Sequence, residues 1–196
     1  MQNISAAIIA GGKNSRIGGM NKSWLSVDNQ TIFQKQLSVL KLVFKDVFVV
    51  TNHPEEYSEI KSTKDSYQEA GPLAGIHAAL SFAETPYIFV FSCDMPFLSA
   101  PLIELMIQSI QKNPCEILIP TYQEKIEPLH AIYHKTLLPV IEEMLNNKIY
   151  RIREMFPKCN MRYFNVPLDI DYDVAFFNIN YQEDLLNAES YAKRIK

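Results

Sequence analysis

Several features are scarce in this chain of 196 residues. Cysteine occurs at Cys93, Cys115 and Cys159 only, widely spaced and without a CxxC pair. That odd, unpatterned set excludes a disulfide framework and predicts reduced thiols in a cytosolic protein. No apolar run reaches the length of a membrane span, and the opening "MQNISAAIIAGG" has no basic n-region of a secretory signal. The net charge of -3 leaves no broad positive field for nucleic acid, although a small anionic ligand remains compatible with it. Glycine is rare, with 6 residues, and both Gly-Gly pairs fall between residues 11 and 19. What is present is an apolar fraction of 47%, enough to fill the core of one domain.

Period and punctuation alternate between strand and helix. "ISAAIIA" (4–10), "DVFVV" (46–50), "YIFVFS" (87–92), "EILIP" (116–120) and "HAIYH" (130–134) read as strands. Those without polar alternation belong at the centre of a sheet covered on both faces. Thr31 and Gln34 form a capping box ahead of Phe33, Leu37, Leu40 and Phe44. Pro72 suits the first turn of a helix carrying Leu73, Ile76 and Leu80. Ser99 caps a helix with Ile103, Met106, Ile107 and Ile110 on one face, and Leu138, Ile141 and Leu145 mark another. Asn180 and Glu183 read as a cap pair opening a last helix. This order predicts an α/β layered sheet with ligands beyond the carboxyl ends of the strands. No repeat or linker divides residues 1–196, which read as a single domain; about 120–165 is less regular and reads as a side lobe.

The first strand runs into "AGGKNSRIGGMNK". Glycines let a backbone turn tightly and approach a ligand, and their N–H groups can cradle phosphate oxygens. Arg16 can fork two bonds to a phosphate and Lys22 can add a point charge. The plainer alternative is a strand-to-helix turn with two solvated cations. The spacing is not a P-loop, because no glycine precedes Lys22, and it is not the G-x-G-x-x-G dinucleotide fingerprint. Asp94, directly after the central strand, can hold Mg²⁺ with phosphate oxygens or can be a turn residue before Pro96. Asn52 follows the strand 46–50 at its carboxyl end, Asp65 precedes "SYQEAGPLAG", and Gly71 and Gly75 allow close packing near where a base or ribose could lie. His130 and His134 share a strand face with no Glu or Cys to complete a zinc set, and His53 and His77 show no partner pattern.

The loop satisfies the AGG-x(3)-R-x-G-x(3)-K signature of nucleotidyltransferases acting on sugar, pterin or terpenoid phosphates. With "KDSYQEAGPLAGIHAAL", "VFSCDMPF" and the late "FFNINYQEDL", nearly the whole chain resembles the molybdenum cofactor guanylyltransferase family. The resemblance implies a Rossmann-like three-layer α/β fold, with a mostly parallel, mixed central sheet covered by helices on both faces. It implies transfer of GMP from GTP to the phosphate of molybdopterin, with Mg²⁺ on Asp94. GTP would contact Ile9, Ala10, Gly11, Gly12, Lys22, Asn52, Asp65 and Asp94, with Arg16 on the triphosphate; Arg16, Lys22 and Asp94 would be catalytic. Asn178 and Asn180 would lie at the pterin side, and residues 120–165 would form the acceptor-side lobe. The implied partners are GTP and the molybdopterin cofactor in the cytoplasm, without nucleic acid or membrane. Transient contact with cofactor-delivery proteins or target molybdoenzymes fits the same role.

The chain departs from the family pattern at Ile17, where Met is usual, and at Asn21, where Asp is common. The frequent His-Pro pair is replaced by Glu127-Pro128, with His130 nearby. Arg151 and Arg153 are candidates for the terminal phosphate of the pterin or for a solvated helix face. A cytidylyltransferase of the same fold, and a non-catalytic nucleotide-binding regulator, are the competing readings. Loss of Asp94 or Lys22 would favour the regulator, and both are present.

Overall fold

The computed structural model describes residues 3–10, 16–17, 20–67 and 69–194, with the backbone alone at 16, 17 and 20. Eight strands form the main sheet: β1 (Ile4–Ile9), β2 (Val47–Val50), β3 (Ser62–Thr63), β4 (Tyr87–Ser92), β5 (Ile117–Tyr122), β6 (Lys125–Ile126), β7 (His130–His134) and β8 (Met161–Asn165). β1 lies between β2 and β4, parallel to both, and β3 extends the β2 side in parallel. β7 runs antiparallel to β4 and to β5, β6 closes a hairpin on β5, and β8 returns parallel to β5. The sheet is therefore mixed and mostly parallel, as expected. Residues 120–165 contribute β6, β7 and β8 to this same sheet.

The helices are α1 (Ile32–Val43), α2 (Gly71–Phe82), α3 (Ala100–Lys112), α4 (Leu138–Asn146), α5 (Tyr172–Ala175) and α6 (Gln182–Arg194). Their starts follow local chemistry. Thr31 and Gln34 close the capping box of α1, Pro72 stands in the first turn of α2, and the Ser99 hydroxyl accepts from Leu102 N at the head of α3. The head of α6 differs from expectation. Asp184, not Glu183, folds back, and its Oδ2 accepts from the backbone N–H groups of Asn180 (2.7 Å) and Tyr181 (2.8 Å). The Asn180 side chain is engaged elsewhere, by the ammonium of Lys22. A buried cation outcompetes a helix end for that amide oxygen, because charge-assisted bonds are the stronger ones.

Alternate residues of each central strand feed two cores. Ile4, Ala6, Ile8, Phe89 and Phe91 face Phe33, Leu40, Leu102 and Ile103 of α1 and α3. Ala7, Ile9, Ile88 and Val90 face α2 and α4 through Leu73, Ile76, Leu80 and Ile141. Burial of each such Leu, Ile or Phe side chain contributes about 1.5–3 kcal/mol. This two-sided packing leaves the strand ends as the one place where the sheet can present polar groups to a ligand. Register aligns those ends: Ile9 pairs with Val50 on one side and with Ser92 on the other. Among the described residues, no helix is long and apolar enough to cross a membrane.

Candidate active site

Two cavities open on these neighbouring strand ends. The first is lined by Ile9 of β1, by Val50, Thr51 and Asn52 after β2, by Asp65, and by Gly71 and Gly75 of α2. A side chain on Gly75 would put its Cβ 2.7 Å from Cγ2 of Ile9, so glycine is what lets α2 come this close to β1. Gly71 has φ +68, a left-handed conformation that glycine adopts without strain. Asp65 Oδ1 accepts from Tyr67 N at 2.7 Å. Burial pushes the Asp65 carboxyl up, while the Tyr67 N–H and His77 pull it down. A carboxylate beside a glycine-walled slot suits a ribose or a base edge.

The second cavity, of about 290 Å³, is lined by Ser92 and Asp94 of the β4 end, by Glu127 and Leu129, and by Asn178 and Asn180. Lys22 lies behind this wall, bonded to two of the residues that line it. Its Nζ donates to Asp94 Oδ2 at 3.1 Å and to Asn180 Oδ1 at 2.9 Å. Lys22 is 2% exposed, so this cation is withdrawn from water and held by two oxygen acceptors. Asp94 Oδ1 accepts from the Ser92 hydroxyl at 2.5 Å, and the Asp94 carbonyl accepts from Ile179 N at 2.9 Å. The same short turn thus fixes the carboxylate and anchors the strap that carries Asn178 and Asn180. Asn178 Nδ2 donates back to the Phe176 carbonyl at 3.0 Å.

Support for Lys22 comes from Asn21, which the sequence marks only as a departure from the family pattern, and from neighbours that sequence reasoning passed over. Asn21 caps the short turn Lys22–Trp24: its Oδ1 accepts from Ser23 N at 3.1 Å, and its Nδ2 donates to Glu56 Oε2 (2.7 Å) and Tyr57 Oη (3.0 Å). Tyr57 Oη donates to Ser23 Oγ at 2.7 Å, and burial pushes the phenol up to about 12. The departure at Asn21 follows from this geometry, because an aspartate could not donate to Glu56. Trp24, Phe33 and Tyr57 pack as a three-ring wedge behind the turn, with centroids 5.1 to 5.4 Å apart. Gln36 of α1, fully buried, donates through Nε2 to the carbonyls of Ser92 (2.6 Å) and Met95 (3.0 Å), holding both ends of the turn that carries Asp94. The one signal for Gln36 was its position, three residues after Phe33 and four before Leu40, on the apolar stripe.

The structure gathers Asp94, Asn178 and Asn180 at one cavity, with Lys22 bonded to Asp94 and Asn180 behind it, and Ile9, Asn52 and Asp65 at the other. Ala10 is buried just beyond β1, its N–H on the Val50 carbonyl. Gly11 and Gly12 lie outside the described residues; the backbone of Arg16 pairs with that of Asn21. Arg151 and Arg153 are exposed, and Ile152 between them is the residue that lines the second cavity. His77 has a partner that its sequence context did not announce, Glu142 Oε1 at 3.2 Å from Nε2. His130 lies among Phe89, Phe91 and Phe176, and burial drops its imidazole to about 3, which suits packing rather than proton transfer. Cys93, beside Asp94, is buried, and desolvation first and Asp94 second push its thiol up to about 12. Among the described residues no three His, Cys, Asp or Glu side chains gather as a metal cage. Asp94 fits the other kind of magnesium site, one carboxylate completed by phosphate oxygens and water.

Parallel strand ends open on two cavities, a lysine and a carboxylate are paired beside the second, and with the likenesses that follow this places the molecule among the nucleotidyltransferases. The chain belongs to the MobA-like NTP transferase family, whose model, described as the MobA-like NTP transferase domain, matches residues 6–160. It is 33% identical over 199 residues to a molybdenum cofactor guanylyltransferase of Desulfosudis oleivorans, covering 98% of each chain. It is 38% identical over 155 residues to a probable molybdenum cofactor guanylyltransferase of Clostridium perfringens strain SM101, covering 78% of this chain and 77% of that one. The solved molybdopterin-guanine dinucleotide biosynthesis protein A of Archaeoglobus fulgidus superposes with a TM-score of 0.84 at 26% identity, over 97% of this chain and 99% of that one.

Proposed function

We propose that this protein transfers GMP from GTP to the phosphate of molybdopterin, forming molybdopterin guanine dinucleotide and pyrophosphate. The observation that carries the reading is the near full-length likeness to a molybdenum cofactor guanylyltransferase, 33% identical over 98% of both chains. The site's chemistry agrees. The guanosine end of GTP occupies the cavity at Ile9, Asn52, Asp65 and Gly75, and the acceptor enters at Asn178 and Asn180. An acceptor phosphate oxygen attacks the α-phosphorus, the bond from that phosphorus to the bridging oxygen breaks, and pyrophosphate leaves. The nucleophile is already anionic, so positioning and charge neutralisation supply the catalysis. Lys22, with Arg16 and the amides of the loop at Gly11 and Gly12, neutralises the leaving pyrophosphate. Asn180 keeps Lys22 oriented while its ammonium turns towards phosphate. Asp94 would hold Mg²⁺, which when bound would supply charge neutralisation at the reacting phosphates.

The whole chain, residues 1–196, works as one nucleotidyltransferase unit with residues 120–165 on the acceptor side; Glu127 and Leu129 on the wall of the second cavity support this. Cys93, Cys115 and Cys159 are free thiols, which fits a reducing cytoplasm. A thermal-shift panel of GTP, CTP, ATP and UTP with and without Mg²⁺ tests the reading. GTP with Mg²⁺ is expected to give the largest shift, and a ligand at a hundred times its Kd adds about 2.7 kcal/mol of stability. A clear preference for CTP overturns the guanylyl reading.

A further inference from the structure

The second cavity contains a carboxylate that the transfer reaction leaves unused. Glu127, on the turn between β6 and β7, lines the cavity together with Asp94. Its Oε1 accepts from Tyr172 Oη at 3.2 Å, and its other oxygen has no hydrogen-bond partner among the described residues. Tyr172 is itself held: its ring stacks on Tyr122 with centroids 4.7 Å apart and 20° between planes, and it packs on Phe176 at 4.5 Å. Burial, with Asp94 as a further contributor, pushes the Glu127 carboxyl up; the Tyr172 hydroxyl, Lys125 and Arg153 oppose that push. The cavity therefore presents two carboxylates, while the buried ammonium beside them is already shared by Asp94 and Asn180. Such a wall favours a ligand that brings hydrogen-bond donors.

We propose that Glu127 determines acceptor specificity, its carboxylate receiving the adjacent N–H donors on the aminopyrimidinone edge of a pterin ring. This rests on the guanylyltransferase reading above. An amino group beside a ring N–H presents two parallel donors, which match a carboxylate much as a guanidinium fork does. A phosphate would be repelled by Glu127, so the acceptor lies with its ring at Glu127 and its phosphate towards Asn178 and Asn180 across the cavity. The cavity, about 290 Å³, is near the lower bound of small-molecule sites at roughly 300 Å³. The orientation delivers the nucleophilic oxygen to the end where Asp94 stands.

The test is steady-state GMP transfer to molybdopterin by the wild type, Glu127→Gln and Tyr172→Phe, together with Mn²⁺-GTP binding followed by electron paramagnetic resonance. Glutamine keeps the shape, but it turns one acceptor into a donor that faces the donors of the ring. Glu127→Gln is expected to raise the acceptor KM about 10- to 100-fold while the GTP KM and the kcat at saturating acceptor stay near wild type. Tyr172→Phe, which frees the carboxylate without discharging it, should give a smaller rise in the same parameter. Mn²⁺-GTP affinity should be unchanged in both. An unchanged acceptor KM in the folded Gln variant, or weakened Mn²⁺-GTP binding, overturns the proposal, the latter by making Glu127 a metal ligand. If the wild type itself transfers no GMP to molybdopterin, the guanylyltransferase reading has failed and this proposal fails with it, a result distinct from an active wild type with an indifferent variant.

Discussion

The ammonium of Lys22 lies 3.1 Å from the carboxylate of Asp94, 72 positions away in the chain. This contact ties the short turn Lys22–Trp24 to the end of the central strand β4. It also gives each charge a partner at a place where both are largely removed from water, with side-chain exposures of 3% and 15%. A lysine so placed is preorganised to meet new negative charge without first being desolvated.

Lys22→Ala should lower kcat/KM for GTP by on the order of 10²–10³, the usual cost of one preorganised electrostatic partner. GMP affinity should fall less, since GMP lacks the β- and γ-phosphates. Lys22→Arg should restore little, because a planar guanidinium does not fit where a compact ammonium reaches Asp94 and Asn180 together. Steady-state kinetics and GMP titration on each variant decide it; equal weakening of GTP and GMP would put Lys22 at the nucleoside instead.

Asp94→Asn keeps the shape of the side chain and the acceptor for Ser92, but removes the charge. Transfer should be largely lost at low Mg²⁺ while the thermal unfolding profile remains cooperative. A rate equal to wild type across a Mg²⁺ titration would reduce Asp94 to a turn residue.

Gln36→Leu deletes both bonds to the carbonyls of Ser92 and Met95 from a buried position. Each abandoned buried acceptor costs about 1–3 kcal/mol, so urea unfolding should show a clear loss of stability. Transfer should slow as well, because the turn carrying Asp94 loses its clamp, although Gln36 touches no substrate. Undiminished kcat/KM in the folded variant would limit Gln36 to a structural part.

His130 gives the expected response to acid. Its folded-state imidazole, pushed down to about 3 by burial, stays neutral where the unfolded chain already binds a proton, below the ordinary value of 6.5. Stability is therefore lost as pH falls through that window, by about 1.4 kcal/mol per pH unit from this group, until the folded state also takes up the proton. His130→Leu should flatten the line by that amount between pH 6 and pH 4, as read from urea midpoints. Parallel lines for wild type and variant would assign the acid loss to carboxylates alone.

Much of this architecture was readable before any coordinates. The apolar run "YIFVFS" had to be a central strand, and Thr31 with Gln34 announced the start of α1 in purely local terms. The short strands β3 and β8 were not readable, because two or five mixed residues become a strand only by pairing with an edge already formed. Asp94, Asn178 and Asn180 were legible through motif and position, but their meeting with Lys22 depends on tertiary contact. That contact also explains why Asn180 does not cap α6: nothing local says that an ammonium from far upstream will take its side-chain oxygen. Glu56 and Tyr57 were invisible for the same reason, and Asn21 stood out only as a departure from the family pattern; the three are joined only through the fold.

One neighbour of the reacting centre is protected by the same burial that shapes it. With its thiol pushed up to about 12, Cys93 carries a thiolate fraction of about 10⁻⁵ at neutral pH. Peroxides and alkylating agents act on thiolates, so burial makes the residue next to Asp94 a poor target for them. Cys159, on the far side of the sheet with the α4 core, is only partly accessible, and burial pushes its thiol up to about 11 as well. Burial thus holds the residue beside Asp94 in its neutral thiol form, so no second negative charge develops next to the carboxylate at neutral pH.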